Sequence, residues 1–408
     1  MFRHSRPLRH PTLFVSIEAL SEPRPAGVNF AEDFGNLLGT WGRKGVLELT
    51  SIFHSLQRQL FPVLEEEMGP LNELDRQFCA ILALTDLDRF TEPYAWCGNG
   101  APPHARIWLA HAFIAKSVYQ FPTTAALLDA LRSRPTLRRL CGWESVGEVP
   151  SEPTFSRAFA AFAERELPQQ VHAQMVKTHA GAKLGGHLSR DATAIEVPER
   201  PAAKTPPVPA PSFPRGRPKK GEVRPTPPAK RLDLQGSRSL ADNLADLPRA
   251  CAVGTKHNSK GYKSSWTGYK LHLDTIDGDV PVSAILTSAS VHDSQVAVPL
   301  AQLSAQRVTA RYAVMDCSYD APQIDAFTRQ LGQVPVIMPN RRSGPVRELA
   351  PAQTKRYKER TAAERVNSLL KQRYGGRWVR VRGAAKVMCH LMFGLIALTA
   401  AALYARLG

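Results

Sequence analysis

The residues best placed to do chemistry are Tyr357-x2-Arg360-x3-Glu364-x6-Lys371, within TKRYKERTAAERVNSLLKQRYGG. At about 100° per residue on a helix, all four project within roughly 60° of one another. Ala362, Ala363, Val366, Leu369 and Leu370 take the opposite side. One face is therefore apolar, and the other carries an acid flanked by two cations and a phenol. An ordinary amphipathic helix spreads its charges and needs no phenol. A carboxylate beside Arg and Lys suits a metal ion bound next to a nucleic-acid phosphate.

Two further acids stand where such a site needs them. Asp191 falls mid-strand in SRDATAI, and Asp316 closes the strand RYAVMD, where the chain leaves its sheet. Ligands of open α/β sheets gather at strand carboxyl ends. An acid inside a strand costs stability unless it is exposed or holds something. Asp191, Asp316 and Glu364 on neighbouring elements could hold two divalent ions about 4 Å apart. Mg²⁺ suits oxygen ligands and substrate phosphates. Taken singly, Asp191 or Asp316 is more often structural; the Glu364 helix raises the case for both. Asp293, Asp320 and Asp325 read as helix caps or first-turn acids. Asp274, Asp277 and Asp279 read as turn residues, and His292-Asp293 as a supporting pair only secondarily.

The 408-residue chain is 43% apolar and carries a net charge of +17, enough for two or more domains with a real core and a polyanionic partner. The charge is local. Residues 340–386 hold 14 Lys/Arg against 3 Asp/Glu, and residues 200–271 hold 15 against 4. Nucleic acid is favoured over a membrane surface. Six cysteines without a C-x-x-C pair form neither a zinc site nor a disulfide framework, which points to a reducing cytoplasm. The N-terminus lacks the apolar run of a signal peptide. The apolar stretch 391–405 is shorter than the ~20 residues of a membrane span and reads as a buried core helix.

The elements that must position these residues follow from periodicity. Residues 46–61 and 71–87 read as helices broken at Pro62 and Pro70. Helices follow from the Pro102-Pro103 pair onward, divided at Pro135, and one is capped by Ser151 or Thr154 with Pro153 in its first turn. After His187 the pattern becomes β, insert, β, β, α, β, α, β, α, α, a mixed α/β sheet with flanking helices preceded by an all-α region. Residues 201–228 contain ten prolines and read as an extended basic arm. Within it, Arg215-Gly216-Arg217-Pro218-Lys219-Lys220 resembles an AT-hook core, whose arginines suit the narrow minor groove of A·T-rich DNA; a solubilising linker is the other reading. Trp266 and Trp378, in basic stretches, read first as core residues and second as stacking platforms for a splayed base.

The sequence resembles bacterial insertion-sequence DDE transposases. The Tyr357…Arg360…Glu364…Lys371 spacing matches the Tyr-Arg-Glu-Lys signature of the family-four type without a gap. SRDAT and VMDCSYDAPQI resemble the segments carrying the first and second Asp. KHNSKGYKSSWTGYKLHL, SVHDS and ERVNSLLKQRYG are similar to the related family-five branch. Residues 70–180 resemble the helical N-terminal region of these enzymes. The resemblance extends over most of the chain and is weakest in residues 1–70. It implies an RNase H-like catalytic domain at 183–408, interrupted by a Pro-rich basic insert at 198–265. It also implies a helical end-binding domain at 70–182 and an extension at 1–69. It implies Mg²⁺ or Mn²⁺, as two ions, on Asp191, Asp316 and Glu364. Tyr357, Arg360 and Lys371 are implied to contact DNA near the scissile phosphate. Cut-and-paste transfer of inverted-repeat ends into double-stranded target DNA is implied, by a homodimer in the DNA complex, at the nucleoid and away from any membrane. The 47 residues between Asp316 and Glu364 leave no room for the large β-rich insert that some members carry there. A DNA-binding protein derived from such an element, without activity, and a nuclease on the same fold are the rival readings.

Overall fold

The computed structural model describes residues 49–91, 103–181, 184–203, 229–257, 261–340 and 348–406. The AT-hook-like residues Arg215, Arg217, Lys219 and Lys220 lie outside them, as do Cys97 and residues 1–48.

The first part is helical: α1 (Leu49–Ser55), α2 (Phe61–Met68), α3 (Glu73–Thr85), α4 (Arg106–Val118), α5 (Thr124–Ser133), α6 (Pro135–Cys141), α7 (Glu152–Glu164) and α8 (Leu167–Ala180). Pro62 does not break its helix, contrary to the sequence expectation. A π-turn, Leu56–Leu60, joins α1 to α2, and Pro62 sits in the first turn of α2, where a missing N–H costs nothing. Asn72 and Asp75 form a reciprocal capping box on α3. Ser151 does cap α7 by position, with Pro153 in the first turn, but its side chain makes no capping hydrogen bond.

The rest builds a six-stranded mixed sheet from β1 (Leu184–Glu196), β2 (Ala252–His257), β3 (Lys263–Ile276), β4 (Val280–Ser288), β5 (Thr309–Met315) and β6 (Val334–Ile337). β3 runs antiparallel to β1, β2 and β4, whereas β1–β5 and β5–β6 are parallel. The stretch read as insert also folds in its later part, into α9 (Arg231–Gln235), α10 (Leu240–Asp246) and β2. α11 (Ala297–Ala305) packs on β3 and β4, α12 (Pro322–Gln330) on β6, and α13 (Pro351–Tyr357) on β5 and β6. α14 (Thr361–Arg373) packs on β1 and β3.

The last helix, α15 (Ala384–Ala405), has 22 residues, longer than its apolar run suggested and long enough to cross a membrane. Burial decides its role: 78% of its most apolar window is covered by protein. α15 packs against α3, α4, α7 and α8 and also against β4, so one apolar cluster runs from Leu56 to Leu403. The C-terminal helix is thus a core element of the helical region as well as of the sheet. Gly394 permits its close approach to the loop after α14, since a Cβ there would lie 2.4 Å from the Tyr374 carbonyl oxygen.

Four histidines, His111, His172, His272 and His390, are buried in these contacts. Burial pushes the His172 pKa down to about 3, with the Arg307 guanidinium adding to it. His172 joins α8 to α15 through Thr399 Oγ1 at 3.1 Å. The unfolded chain binds protons at these sites near pH 6.5 while the fold does not, so their contribution is present above that pH and is lost as pH falls toward 3. Each buried histidine should cost up to about 2 kcal/mol of stability between pH 7 and pH 5. In denaturant titrations at the two pH values, His172→Gln should shrink the pH-dependent loss by about that amount. An unchanged difference would mean that His172 is not held neutral.

Candidate active site

Strand period 2 sorts the charges of β1. Arg190 points to the α11 side and is fully buried with Asp274 on β3, Nε to Oδ1 and Nη2 to Oδ2 both at 2.8 Å. Ser304 of α11 donates to the same carboxylate at 2.6 Å. Asp274 is therefore a buried strand residue and not the turn acid expected from DTIDGD. Asp191, the next residue, faces α14, where Asn367 Nδ2 donates to its Oδ2 at 3.0 Å.

Parallel pairing brings in the second acid. β1 and β5 pair Leu188 with Ala313 and Ser189 with Val314. Continuing that register by two residues sets Asp316 beside Asp191, about one strand spacing away. Asp316 caps the 3₁₀ turn Cys317–Tyr319 and accepts from the Ser318 backbone N–H at 2.9 Å and from its hydroxyl. Burial pushes the Asp191 pKa up to about 6, and the Asp316 charge adds to the rise. The Ala192 N–H, Arg360 and Asn367 oppose it.

The Tyr-Arg-Glu-Lys segment is not one uniform helix. Tyr357 ends α13, a 3₁₀ turn spans Lys358–Arg360, and α14 begins at Thr361. The tight turn is fastened to β1, because Ser189 Oγ donates to the Glu359 carbonyl at 2.8 Å. α13 is fastened by Arg356, whose guanidinium lies 3.8 Å from the Tyr312 ring centroid. Arg356 also lies 3.4 Å from His187 Nε2, and His187 Nδ1 meets Asp277 at 3.0 Å. Asp279 grips Arg365 of α14 with both oxygens, at 2.8 and 2.7 Å. The turn acids Asp277 and Asp279 thus anchor the helices that present the signature.

Ala362, Ala363, Val366 and Leu370 are buried as the pattern required, and Leu369 is partly so. Glu364 is 47% exposed and takes a 2.7 Å ion pair from Arg360, itself 22% exposed. Arg360 also sits 5.7 Å from the Tyr357 ring centroid and within electrostatic reach of Asp191. Burial raises the Tyr357 hydroxyl pKa, with Arg360 opposing and Asp316 and Glu364 adding to it. Lys371 lies two turns on; burial lowers its pKa, Glu196 and Asp191 opposing and Lys256 assisting. Asp191, Asp316, Tyr357, Arg360 and Glu364 therefore share one neighbourhood, with Lys371 at its rim.

Among the described residues no three His, Cys, Asp or Glu side chains gather as a ready cluster for a metal. Glu364 is turned to Arg360 instead. The donor set nonetheless fits a divalent cation. Two carboxylates sit side by side at the cost of mutual repulsion, and Asn367 Oδ1 beside them is buried without a hydrogen-bond partner. A cation with its waters satisfies all three groups.

Residues 186–400 match the family model described as Transposase DDE domain. The chain belongs to the DDE transposase family. Residues 66–161 match a second model, Transposase domain (DUF772). No curated protein and no solved structure shows significant similarity to the chain. The protein is an insertion-sequence transposase, an enzyme that cleaves DNA and transfers its strands with divalent metal ions.

Sequence reasoning passed over two residues of this transposase. Asn367 interrupts the apolar stripe of α14 yet is buried, and a polar residue on a buried face was the available signal. Ser189 gave no signal, since its role depends on where the 3₁₀ turn lands. His292 caps its own turn at Ser294, and Asp293 pairs with Lys270 Nζ at 2.8 Å. Burial raises the Tyr319 hydroxyl pKa, with Asp293, Asp191 and Asp316 adding to it and Arg190 opposing. Asp325 is a first-turn acid of α12 as read and pairs with Arg329, whereas Asp320 does not cap that helix and accepts from the Asn340 N–H. Trp378 is 57% exposed and not a core residue; it borders a cavity of about 400 Å³ with Lys116, Lys371, Arg377 and His390. Removing the Asn367 amide should leave the fold intact and loosen Asp191. Asn367→Ala is expected to raise the divalent-ion concentration for half-maximal DNA cleavage by about tenfold or more, the usual range for a residue that orients a ligand. An ion titration that superimposes on the wild type would exclude this role.

Proposed function

We propose that this insertion-sequence transposase cuts transposon ends and joins them to target DNA at a site built from Asp191, Asp316 and Glu364 on an RNase H-like domain. The observation that carries the reading is the parallel register that sets Asp316 beside Asp191, with α14 docked over them through Asn367. The mixed sheet with helices on its faces supports the RNase H-like assignment.

Asp191 and Asp316 would hold Mg²⁺ or Mn²⁺, two ions when Glu364 joins them. Bound ions activate the attacking oxygen and stabilise the leaving one in an in-line displacement at phosphorus. The rest is done by the chain. Asn367 orients Asp191, and the Ser318 N–H fixes Asp316. Arg360 holds Glu364 through an exposed i,i+4 pair worth only about 0.3–0.5 kcal/mol. A phosphate can therefore draw the guanidinium away, since Arg offers it a planar fork. Tyr357 and Lys371 extend this grip along the same strand, the role that the resemblance to the family-four signature implies. The helical region 70–182 binds the inverted-repeat end, the basic insert 198–265 with Arg215, Arg217, Lys219 and Lys220 adds minor-groove contacts, and two chains assemble on the DNA.

Asp191→Ala, Asp316→Ala and Glu364→Ala should each abolish metal-dependent end cleavage and keep end binding, because affinity comes mainly from cations on phosphates. Gel-shift and cleavage assays on one DNA measure both. Full cleavage by any purified variant would remove that residue from the site. A pre-cleaved end offered with target DNA should be joined by the wild type; hydrolysis without joining would make the protein a nuclease.

Arg360→Ala should lower end cleavage by at least about tenfold, near 1.4 kcal/mol of transition-state binding, with the melting temperature within a few degrees. Arg360→Lys should restore it only in part. A variant that melts far lower yet cuts at the normal rate would assign Arg360 to the fold.

A further inference from the structure

The sheet does not use all of β3. Its register with β1 starts at Gly268 and that with β4 at Tyr269. Lys263–Thr267 pairs in register with β2 instead, His257 facing Lys263 and Val253 facing Thr267. β2 and the outer part of β3 therefore leave the sheet as an antiparallel ribbon. At about 3.3 Å per residue, that part of β3 projects roughly 17 Å.

A free two-stranded ribbon is only marginally stable in water. This one is braced. The Trp266 indole lies across Gly254, where a Cβ would come within 2.3 Å of the ring, and its Nε1 donates to the Tyr269 carbonyl at 3.0 Å. Trp266 thus braces the ribbon. The Thr255 and Ser265 hydroxyls meet across the strands at 3.4 Å.

The chemistry of the ribbon is one-sided. From Ala252 to Lys270 the sequence holds four lysines and no acid. Lys270 is paired with Asp293, whereas Lys256 and Lys263 are exposed and Tyr262 is 71% exposed. Lysines on an edge strand discourage pairing with other chains. That use does not explain an exposed tyrosine. The ribbon also springs from the end of the strand that carries Asp191, because Gly268 faces both Glu196 of β1 and Ala252 of β2, and Lys256 lies within electrostatic reach of Lys371. A cation beside a cation is a cost that a polyanion relieves. A two-stranded β-ribbon is one of the two elements that the major groove of B-DNA admits.

We infer that the β2–β3 ribbon enters the major groove of the DNA duplex whose end reaches Asp191, with Lys256 and Lys263 on its phosphates and Tyr262 against its base edges. The inference rests on the transposase reading above, with Lys371 as the link between ribbon and site.

The test uses the full-length protein without divalent ions and a labelled 40-bp duplex copied from the terminal repeat flanking its own gene. Anisotropy titrations from 50 to 300 mM NaCl give affinity and salt slope. Lys256→Ala with Lys263→Ala should weaken binding at least about tenfold and flatten the log–log slope by about 1.8, two phosphate contacts at 0.9 each. Tyr262→Ala should keep the slope and reduce the preference for the repeat over a scrambled duplex. Gly254→Ala, which forces the indole to move without changing charge, should also weaken binding. If the wild type cleaves its end while the double-lysine variant binds with unchanged affinity and slope, the ribbon is overturned and the catalytic reading stands. If the double variant changes only the oligomeric state in sedimentation, a second copy occupies the ribbon and the inference is again overturned. A wild type that neither prefers nor cuts the repeat would overturn the site assignment and the ribbon together.

Discussion

The site depends on one buried ion pair. Arg190 and Asp274 are 2% and 0% exposed and meet through two parallel hydrogen bonds, with Ser304 satisfying a further lone pair. Removing either partner of such a pair leaves an uncompensated charge, a cost of about 3–5 kcal/mol. The pair therefore tolerates one register of β1 against β3. A slip by one residue would send Arg190 toward α14 and Asp191 into the α11 interface. The facing of Asp191 follows from the satisfaction of its neighbour.

From there the geometry propagates through backbone pairing. The β1–β5 register carries Asp316 to the level of Asp191. The Ser189 hydroxyl, on the same strand, holds the 3₁₀ turn that starts α14. Three consecutive residues, Ser189, Arg190 and Asp191, thus reach the signature turn, the β3 core and the Asn367 amide. α15 then locks this sheet to the helical region, since its apolar surface has to be covered all round and both regions contribute to the cover.

The electrostatics of the proposed site are unresolved by the protein alone. Asp191 and Asp316 repel, which together with burial lifts the Asp191 pKa to about 6. Arg360 is shared between Glu364 and the Tyr357 ring, and the charge on Lys371 is disfavoured by burial and, to a lesser degree, by Lys256. Paired acids fit cations, and clustered cations fit phosphates. Both mismatches have the same remedy, which is DNA with divalent ions at its backbone.

The sequence by itself determined most of the helices and strands, the apolar face of α14, and the places of Asp191 within a strand and Asp316 at a strand end, because local periodicity fixes which residues share a face. Resemblance in short motifs supplied the family. What it could not determine is equally specific. Asp274 looked like a turn acid because its partner lies 84 residues away. Pro62 looked like a breaker because a π-turn is invisible to a 3.6-residue pattern. The 3₁₀ turn at Lys358–Arg360 and the pairing of Glu364 with Arg360 depend on where β1 meets α14. Asn367, Ser189 and the braced β2–β3 ribbon acquire meaning only through contacts between distant segments. Local sequence sets which groups are available; long-range register and burial decide which of them meet.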